Sequence, residues 1–241
     1  ATAMKVGKAI GKVPVLVGVC DGFVGNRMLA KRTRECGFMM EEGALPWQID
    51  KVIYDFGFPM GPYAMGDMAG LDVGWRNRKA KFDSLTEREK KNTILDKICE
   101  MGRYGQKTGS GFYKYDEKRN ATPDPMIEEL ILNHSKEVGI ERRAITDQEI
   151  VERAIYSMIN EGAKILEEGI AARPLDIDAV WLYGYGFPVY LGGPMFYADT
   201  VGLKKVYEAI VKYRDMIGAE YWTPSPLLEK LAKEGKGFYS K

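Results

Sequence analysis

The chain contains an internal repeat, and this feature constrains its fold more than any other. Residues 41–71, EEGALPWQIDKVIYDFGFPMGPYAMGDMAGL, resemble residues 167–203, EEGIAARPLDIDAVWLYGYGFPVYLGGPMFYADTVGL. Both segments run EEG, I-D, G-F-P, G-P, D and G-L, with small insertions in the second copy. Self-similarity of this kind predicts two copies of one structural module.

Helical patterns precede both copies. Apolar residues recur there near the 3.6-residue helical period, which is typical of a helix with one buried face. They are Met28, Leu29, Cys36, Met39 and Met40 before the first copy, and Ile150, Val151, Ile155, Met158, Ile159 and Leu166 before the second. Each repeat therefore predicts a long helix, a short helix near I-D, a turn at G-F-P/G-P and a further helix.

Residues that often begin helices indicate where several of these helices start. The predicted starts are Asp21, Ser84 with Glu87 for a helix over 85–102, Asp124 with Pro125, and Thr146 with Glu149. The stretch TGSGFYKYDEKRNATPDP, residues 108–125, is rich in Gly, Pro and polar residues. Such a composition predicts a linker between the repeats.

The first apolar run, VPVLVGV at residues 13–19, is β-branched and flanked by Gly and Asp. This pattern predicts a buried strand. A single strand needs a sheet from elsewhere, so we expect the chain to be a fragment cut from a longer protein just before its last sheet strand.

The predicted fold is mainly α, with two repeated helical modules and one N-terminal strand left from a missing α/β domain. The expected divisions are residues 1–20 as the end of that domain and a connector, 21–117 as the first module, 118–145 as linker and inter-repeat helix, and 146–241 as the second module.

Composition excludes several classes of function. Net charge is +1, so bulk electrostatics do not favour nucleic acid or an anionic membrane. The apolar runs are too short to span a bilayer. Three cysteines lack metal-binding spacing and indicate a reduced, intracellular compartment. The one histidine, His134, lies in a polar helical stretch, where we expect a solvated surface side chain.

The stretch CDGFVGNRML, residues 20–29, is unusual because Gly22, Gly25 and Asn26 disfavour the helix that it opens. Aligning the repeats on EEG sets Asn26-Arg27 against Glu152-Arg153, and the second copy has the good helix sequence QEIVE instead of GFVGN. The module therefore does not require these residues for its fold. Two interpretations remain open. The glycines admit a ligand to the backbone while Asn26 bonds it, or they allow tight helix–strand packing and Asn26 caps locally.

Three segments resemble, in order, the hallmark segments of the C-terminal domain of L-3-hydroxyacyl-CoA dehydrogenases. They are DGFVGNRML, EEGALPWQIDKVIYDFGFPMGPYAMGDMAGLD and GQKTGSGFYKY. The second copy, ending FPVYLGGPMFYADTVGL, is similar to the additional C-terminal domain of multifunctional β-oxidation enzymes, which also carry an enoyl-CoA hydratase. The resemblance implies oxidation of a 3-hydroxyacyl-CoA to the 3-ketoacyl-CoA with NAD.

The resemblance also implies a divided site. In that family an N-terminal Rossmann domain holds NAD and a His–Glu pair, and the helical domain supplies an asparagine that matches Asn26. Asn26 is then the expected catalytic and substrate-binding residue, through a hydrogen bond to the substrate oxygen. The glycine-rich loop and the His–Glu pair are missing from this sequence, so we expect the isolated chain to be inactive, with no cofactor or metal bound by it.

Weaker candidates lie elsewhere in the chain. Tyr183 matches a position that some multifunctional relatives use near the substrate, although a core aromatic is the commoner outcome. The cation-rich segment 76–107 suits either the phosphates of CoA or a solvated helix face with ion pairs. Asp67 and Asp199 occupy equivalent repeat positions, which favours a structural capping role over a catalytic one.

The second repeat is expected to pack on the first and to imitate the homodimer of single-module relatives. Its aromatic-rich turn is a candidate for that contact: Trp181, Tyr183, Tyr185, Phe187 and Tyr190. A homodimer through the helical modules is the alternative.

Two alternative interpretations of the sequence remain open. In one, the chain is a helical dimerisation or scaffold module without chemistry; in the other, it belongs to a 3-hydroxybutyryl-CoA dehydrogenase. The expected partners are an acyl-CoA substrate and the missing Rossmann domain, with a hydratase domain upstream as a further option. The expected compartment is cytoplasmic in a prokaryote and peroxisomal or mitochondrial in a eukaryote.

Overall fold

Helices form most of the chain in the computed structural model, which describes residues 2–240. The helices are α1 (Thr2–Ala9), α2 (Gly25–Glu42), α3 (Pro46–Phe56), α4 (Pro62–Ala69), α5 (Leu71–Ala80), α6 (Glu87–Lys91), α7 (Ile94–Glu100), α8 (Pro125–Glu137), α9 (Asp147–Val151), α10 (Ser157–Glu167), α11 (Pro174–Gly184), α12 (Pro194–Val201), α13 (Leu203–Ile217), α14 (Ala219–Trp222) and α15 (Pro226–Glu234). A π-helical turn, Glu152–Tyr156, joins α9 to α10, and short 3₁₀ turns lie at Phe82–Ser84, Gln106–Thr108 and Val189–Leu191.

One small sheet accompanies the helices in the described residues. Strands β1 (Tyr113–Tyr115) and β2 (Ala121–Pro123) pair antiparallel, with Tyr113 opposite Pro123. This hairpin lies inside the segment predicted to be a linker. The prediction of a mainly α fold is confirmed.

The chain divides into two compact units. The terminal unit comprises Ala1–Thr33 and Val151–Lys241, and the middle unit comprises Arg34–Ile150. The start of α2 therefore belongs to the same compact unit as the second repeat. The residue ranges expected for the two modules stay a prediction.

Each unit has its own apolar core. In the middle unit the core includes Phe38, Ile49, Ile53, Ile94, Ile98, Ile127 and Ile131. In the terminal unit it includes Met28, Ile155, Met158, Ile159, Trp181, Phe187, Met195, Val206, Ile210, Tyr213 and Trp222. Burial of these side chains provides the main favourable free energy of folding, at about 1.5–3 kcal/mol for each fully buried large aliphatic or aromatic residue.

The predicted N-terminal strand is wrong for this chain. Residues 13–19 make one isolated bridge, between Val17 and Ala171, and Gly18 N–H donates to the Ile170 carbonyl at 2.7 Å. Leu16 and Val19 are largely exposed. A β-branched run becomes a strand only where a partner strand continues the ladder, and the described residues supply one bridging position.

The structure agrees with two of the helix starts predicted from the sequence, those at Asp124 and Thr146. Asp124 caps α8 by accepting from Met126 N–H, with Pro125 in the first turn. Thr146 Oγ1 accepts from Glu149 N–H at 3.2 Å, one residue before α9. Both predictions are confirmed.

Two other predicted starts are wrong. Thr86, not Ser84, caps α6 and forms the capping box with Glu89, because Ser84 Oγ instead donates to the Lys81 carbonyl within a 3₁₀ turn. The helix predicted over 85–102 is also divided, into α6 and α7. The helix α2 begins at Gly25, four positions after Asp21, because the left-handed residues Gly22 and Phe23 interrupt the helical backbone between them.

The prediction that His134 lies at the surface is wrong. It was expected at the surface, yet its side chain is 1% exposed within α8. Its Nε2 lies 2.9 Å from Glu41 Oε1. A polar ring can be buried when a hydrogen bond replaces water, and Glu41 on α2 provides that partner.

Among residues 2–240 no helix is long and apolar enough to cross a membrane.

Candidate functional site

The unusual glycines at the start of α2 have separate structural roles. Gly22 adopts a left-handed conformation, with φ of +75°, and Phe23 follows with φ of +50°. A Cβ atom at Gly22 would also lie 2.8 Å from the backbone nitrogen of Arg27. Only glycine combines this φ with so little space, so Gly22 permits the turn that leads into α2.

Gly25 makes room for an aromatic side chain of the second repeat. A Cβ atom built at Gly25 would lie 2.1 Å from Cε2 of Tyr185. The Tyr185 ring therefore rests directly on the Gly25 backbone. The neighbour that Gly25 admits in this structure is a tyrosine of the same unit, and admission of a ligand stays a prediction.

Asn26 lies in the first turn of α2 and is exposed. Its Oδ1 accepts a hydrogen bond of 2.7 Å from the Tyr185 hydroxyl. The amide nitrogen has no hydrogen-bond partner within the described part of the chain. An exposed amide of this kind can donate to a ligand oxygen without breaking a bond to the protein.

Charged neighbours fix the same turn of the helix. Arg27 Nε donates to Glu161 Oε1 at 2.6 Å, and its two terminal nitrogens donate to the Glu168 carboxylate at 2.6 and 2.8 Å. The bonds to Glu168 and Glu161 raise the pKa of Arg27 despite partial burial, while Arg27 lowers the pKa of Glu168. Bidentate pairs of this kind set orientation as well as distance.

An aromatic cluster on α11 supports the next residues of α2. The fully buried Trp181 donates from Nε1 to Met28 Sδ at 3.2 Å. Its ring centroid lies 4.8 Å from that of Tyr185, and the Arg32 guanidinium lies 5.6 Å from the Trp181 ring centroid. The first turns of α2 are thus held by α10 and α11.

The structure gives the predicted site residues different surroundings. Asn26 has a defined contact with Tyr185, whereas Tyr183 is 73% exposed near the end of α11. The role of Tyr183 at the substrate stays a prediction. Sequence reasoning missed Tyr185 as a neighbour of Asn26 and gave it only as one of five aromatic residues in a packing surface. Its signal in the sequence is the glycine at position 25, which leaves room for a neighbouring side chain to approach the backbone closely.

Paired aspartates repeat in both units. In the middle unit Asp50 accepts from the Tyr63 and Ala64 N–H groups and from the Tyr113 hydroxyl, all at 2.8 Å. In the terminal unit Asp178 accepts from the Met195 and Phe196 N–H groups and from the Tyr239 hydroxyl, at 2.7, 3.1 and 2.6 Å. Burial raises the pKa of each of these two carboxyls to about 6.

A second pair of aspartates completes this arrangement. Asp67 accepts from the N–H groups of Phe112 and Tyr113, and Asp199 accepts from those of Phe238 and Tyr239. The expectation of a structural role for both is confirmed, although they bind a G-F-Y segment and do not cap a helix. That segment occurs at 111–113 and 237–239, which extends the repeat beyond the part recognised in the sequence.

Ion pairs within the middle unit use several cations of segment 76–107. Arg78 binds Asp96 at 2.9 Å, Arg88 binds Glu42 at 2.7 Å, and Arg103 binds Asp124 at 2.8 Å. These cations already have carboxylate partners, so the geometry favours the ion-pair interpretation of the segment over a site for CoA phosphates.

Comparison with known proteins gives a consistent result. The family described as 3-hydroxyacyl-CoA dehydrogenase, C-terminal domain, matches residues 22–115 and 150–239. A peroxisomal bifunctional enzyme from Danio rerio is 48% identical over 98% of this chain, which covers 35% of that protein. The human peroxisomal bifunctional enzyme is 46% identical over 98% of the chain and 34% of its own length.

More distant relatives extend the comparison. A glyoxysomal fatty acid beta-oxidation multifunctional protein from Brassica napus is 35% identical over 96% of the chain and 32% of its own length. The chain thus spans about a third of the length of these relatives.

Solved structures share the fold. The dehydrogenase part of multifunctional enzyme 1 from C. elegans superposes with a TM-score of 0.74 and 33% identity, over 95% of this chain and 52% of that one. A 3-hydroxybutyryl-CoA dehydrogenase from Escherichia coli gives a TM-score of 0.75 at 19% identity, over 97% of this chain and 64% of that one, which shows similarity of fold alone.

Proposed function

Because the chain belongs to the 3-hydroxyacyl-CoA dehydrogenase C-terminal domain family, we propose that it is the substrate-side helical part of an NAD-dependent L-3-hydroxyacyl-CoA dehydrogenase. The enzyme would act in fatty-acid β-oxidation as part of a longer multifunctional polypeptide. The names of the relatives, bifunctional and multifunctional enzymes of which this chain covers about a third, support that context.

The observation that carries the proposal is the exposed amide of Asn26 in the first turn of α2. When a 3-hydroxyacyl thioester is oxidised, its C3 oxygen loses a proton and gains negative charge before the carbonyl is complete. An amide N–H fixed near that oxygen stabilises the charge, and in comparable sites one such donor is worth about 2.7–4 kcal/mol. The backbone N–H groups at the helix start add a favourable dipole.

NAD does not fit the described residues of this chain. Its usual site is a parallel sheet with a glycine-rich turn, whereas the sheet found within residues 2–240 is the two-stranded antiparallel hairpin β1–β2. We therefore place NAD, and the acid–base pair that the family uses, in a Rossmann domain outside this sequence. A hydratase domain in the same polypeptide is part of the proposal.

The names of the relatives support a proposal for the compartment, and the contacts of α2 support a proposal for the assembly. The relatives are named peroxisomal or glyoxysomal, which supports a peroxisome-type location. The second repeat would replace the partner subunit of single-module relatives, because its helices α10 and α11 contact the helix that carries Asn26 through Glu161 and Trp181. A homodimer through the helical modules is the alternative arrangement.

Asn26→Ala in the full-length enzyme tests the proposal. We expect the kcat for oxidation of 3-hydroxyacyl-CoA to fall about 10²–10³-fold. The free energy of unfolding should change by no more than about 1.5 kcal/mol, because Asn26 is exposed and makes one neutral hydrogen bond. Comparing C4 with longer acyl substrates separates a 3-hydroxybutyryl-CoA enzyme from a long-chain one.

A scaffold module without chemistry makes the opposite prediction. Asn26→Ala would then leave turnover unchanged. Unchanged turnover in a folded variant would reject the proposed function. Tyr54→Phe, which alters an exposed tyrosine of the middle unit, is a matched control that should leave turnover and stability unchanged.

A further inference from the structure

The Tyr185 hydroxyl occupies one end of the Asn26 amide. It donates to Oδ1 at 2.7 Å. A carboxamide carries its acceptor and its donors on opposite sides of a planar group, and this group rotates broadly about its last torsion angle. A donor held at Oδ1 therefore selects one rotation of the amide and turns Nδ2 away from Tyr185.

Tyr185 is itself held in place. Its ring lies so close to Gly25 that a Cβ atom there would be 2.1 Å from Cε2. On another side its ring centroid is 4.8 Å from that of Trp181, which is fully buried. Burial also raises the pKa of Tyr185, so its hydroxyl keeps the proton that it donates. The side chain is thus a fixed hydrogen-bond donor.

The hydrogen bond adds little to the attachment of the helix. The first turns of α2 are already held by the ion pairs from Arg27 to Glu161 and Glu168 and by the contact of Met28 with Trp181. Removing one hydroxyl leaves these contacts and the ring packing unchanged. The main effect of the Tyr185 hydroxyl falls on the exposed amide beside it.

We propose that Tyr185 is a positioning residue that orients the Asn26 amide with its N–H groups toward the substrate oxygen. This inference rests on the proposed function, because it needs Asn26 to act on substrate. It assigns the second repeat a direct part in the site, since that repeat supplies the hydroxyl while its own counterpart of Asn26 is Glu152.

The test is Tyr185→Phe in the full-length enzyme, which removes the hydroxyl and keeps the ring on Gly25. We expect kcat to fall about two- to tenfold, the equivalent of one neutral hydrogen bond. KM and thermal stability should change little, because the substrate's other contacts and the packing remain. Tyr54→Phe is the matched control and should leave kcat unchanged.

A double-mutant cycle with Asn26→Ala decides between orientation and general support. If Tyr185 acts through Asn26, Tyr185→Phe has no further effect on kcat once Asn26 is alanine. Gly25→Ala should reproduce the kcat loss, because a methyl group there must displace the Tyr185 ring.

The outcomes separate the two proposals. An impaired Asn26→Ala enzyme with a fully active Tyr185→Phe enzyme overturns the positioning role and leaves the proposed function standing. The positioning role also fails if Tyr185→Phe lowers kcat equally in both backgrounds. A fully active Asn26→Ala enzyme rejects the proposed function and this inference with it.

Discussion

Tyr113→Phe should destabilise the protein by an amount that depends on pH. The Tyr113 hydroxyl donates to Asp50 Oδ2 at 2.8 Å, and the Asp50 carboxyl has a pKa of about 6 instead of the usual 3.8 because it is buried. The bond to Tyr113 lowers that pKa, so it stabilises the charged carboxylate more than the neutral acid. Removing the hydroxyl therefore raises the pKa of Asp50 further.

The sign of the pH dependence follows from linkage. The native state holds the Asp50 proton more tightly than the unfolded chain does, so the contribution of Asp50 to stability is greatest below pH 3.8 and is lost as pH rises through about 6. Each pKa unit corresponds to about 1.4 kcal/mol, so the difference between 3.8 and about 6 is roughly 3 kcal/mol.

Tyr113→Phe should lower the free energy of unfolding most at pH values above about 6. A hydrogen bond to a charged group is worth about 1.5–3 kcal/mol, whereas a neutral one is worth about 0.5–1.5 kcal/mol. We expect Tyr113→Phe to lower the free energy of unfolding by the larger amount above pH 7 and by the smaller amount below pH 5.

Urea unfolding of wild type and variant at both pH values measures the difference. Tyr54→Phe is the exposed control and should change stability by less than about 0.5 kcal/mol at either pH. Equal losses for Tyr113→Phe at both pH values would refute the argument, since they would mean that Asp50 does not change charge between them.

Two further substitutions test the turn before α2 and the buried histidine. Gly22→Ala should lower the free energy of unfolding by more than Gly109→Ala does. Gly109 has a similar φ of +73°, but no atom lies within 4 Å of the methyl group that alanine would add there. Gly109→Ala therefore measures the effect of the left-handed φ alone, which is about 1–2 kcal/mol. Thermal melts of the two variants give the comparison, and equal losses would show that contact with Arg27 does not matter. His134→Ala should lower the free energy of unfolding by about 3–5 kcal/mol, because it leaves a cavity and removes the hydrogen-bond partner of Glu41. The other oxygen of Glu41, Oε2, is buried without a hydrogen bond in the described residues. Chemical denaturation measures this loss, and a change below about 0.5 kcal/mol would indicate a solvated His134.

Predictions from the sequence succeeded where the signal is local or periodic. Apolar residues near a 3.6-residue period predicted the long helix α2 and most of α10, and Asp124 with Pro125 predicted the start of α8. They failed where a neighbouring residue offers the same chemistry, since Ser84 and Thr86 are both good caps and the chain uses Thr86. Residues 13–19 failed for another reason, because a strand depends on its partner as much as on its own composition.

Residue order alone predicts a mainly helical repeat, and it shows that the first copy has GFVGN around Asn26 where the second copy has the good helix sequence QEIVE. These properties are recorded in residue order, in periodicity and in the glycines that no ordinary helix would contain. Which side chains meet around Asn26 depends instead on tertiary packing. Tyr185 reaches Asn26 across 159 positions in the chain, and His134 reaches Glu41 across 93. Contacts over such separations depend on how whole helices pack, and no local pattern in the sequence encodes that packing.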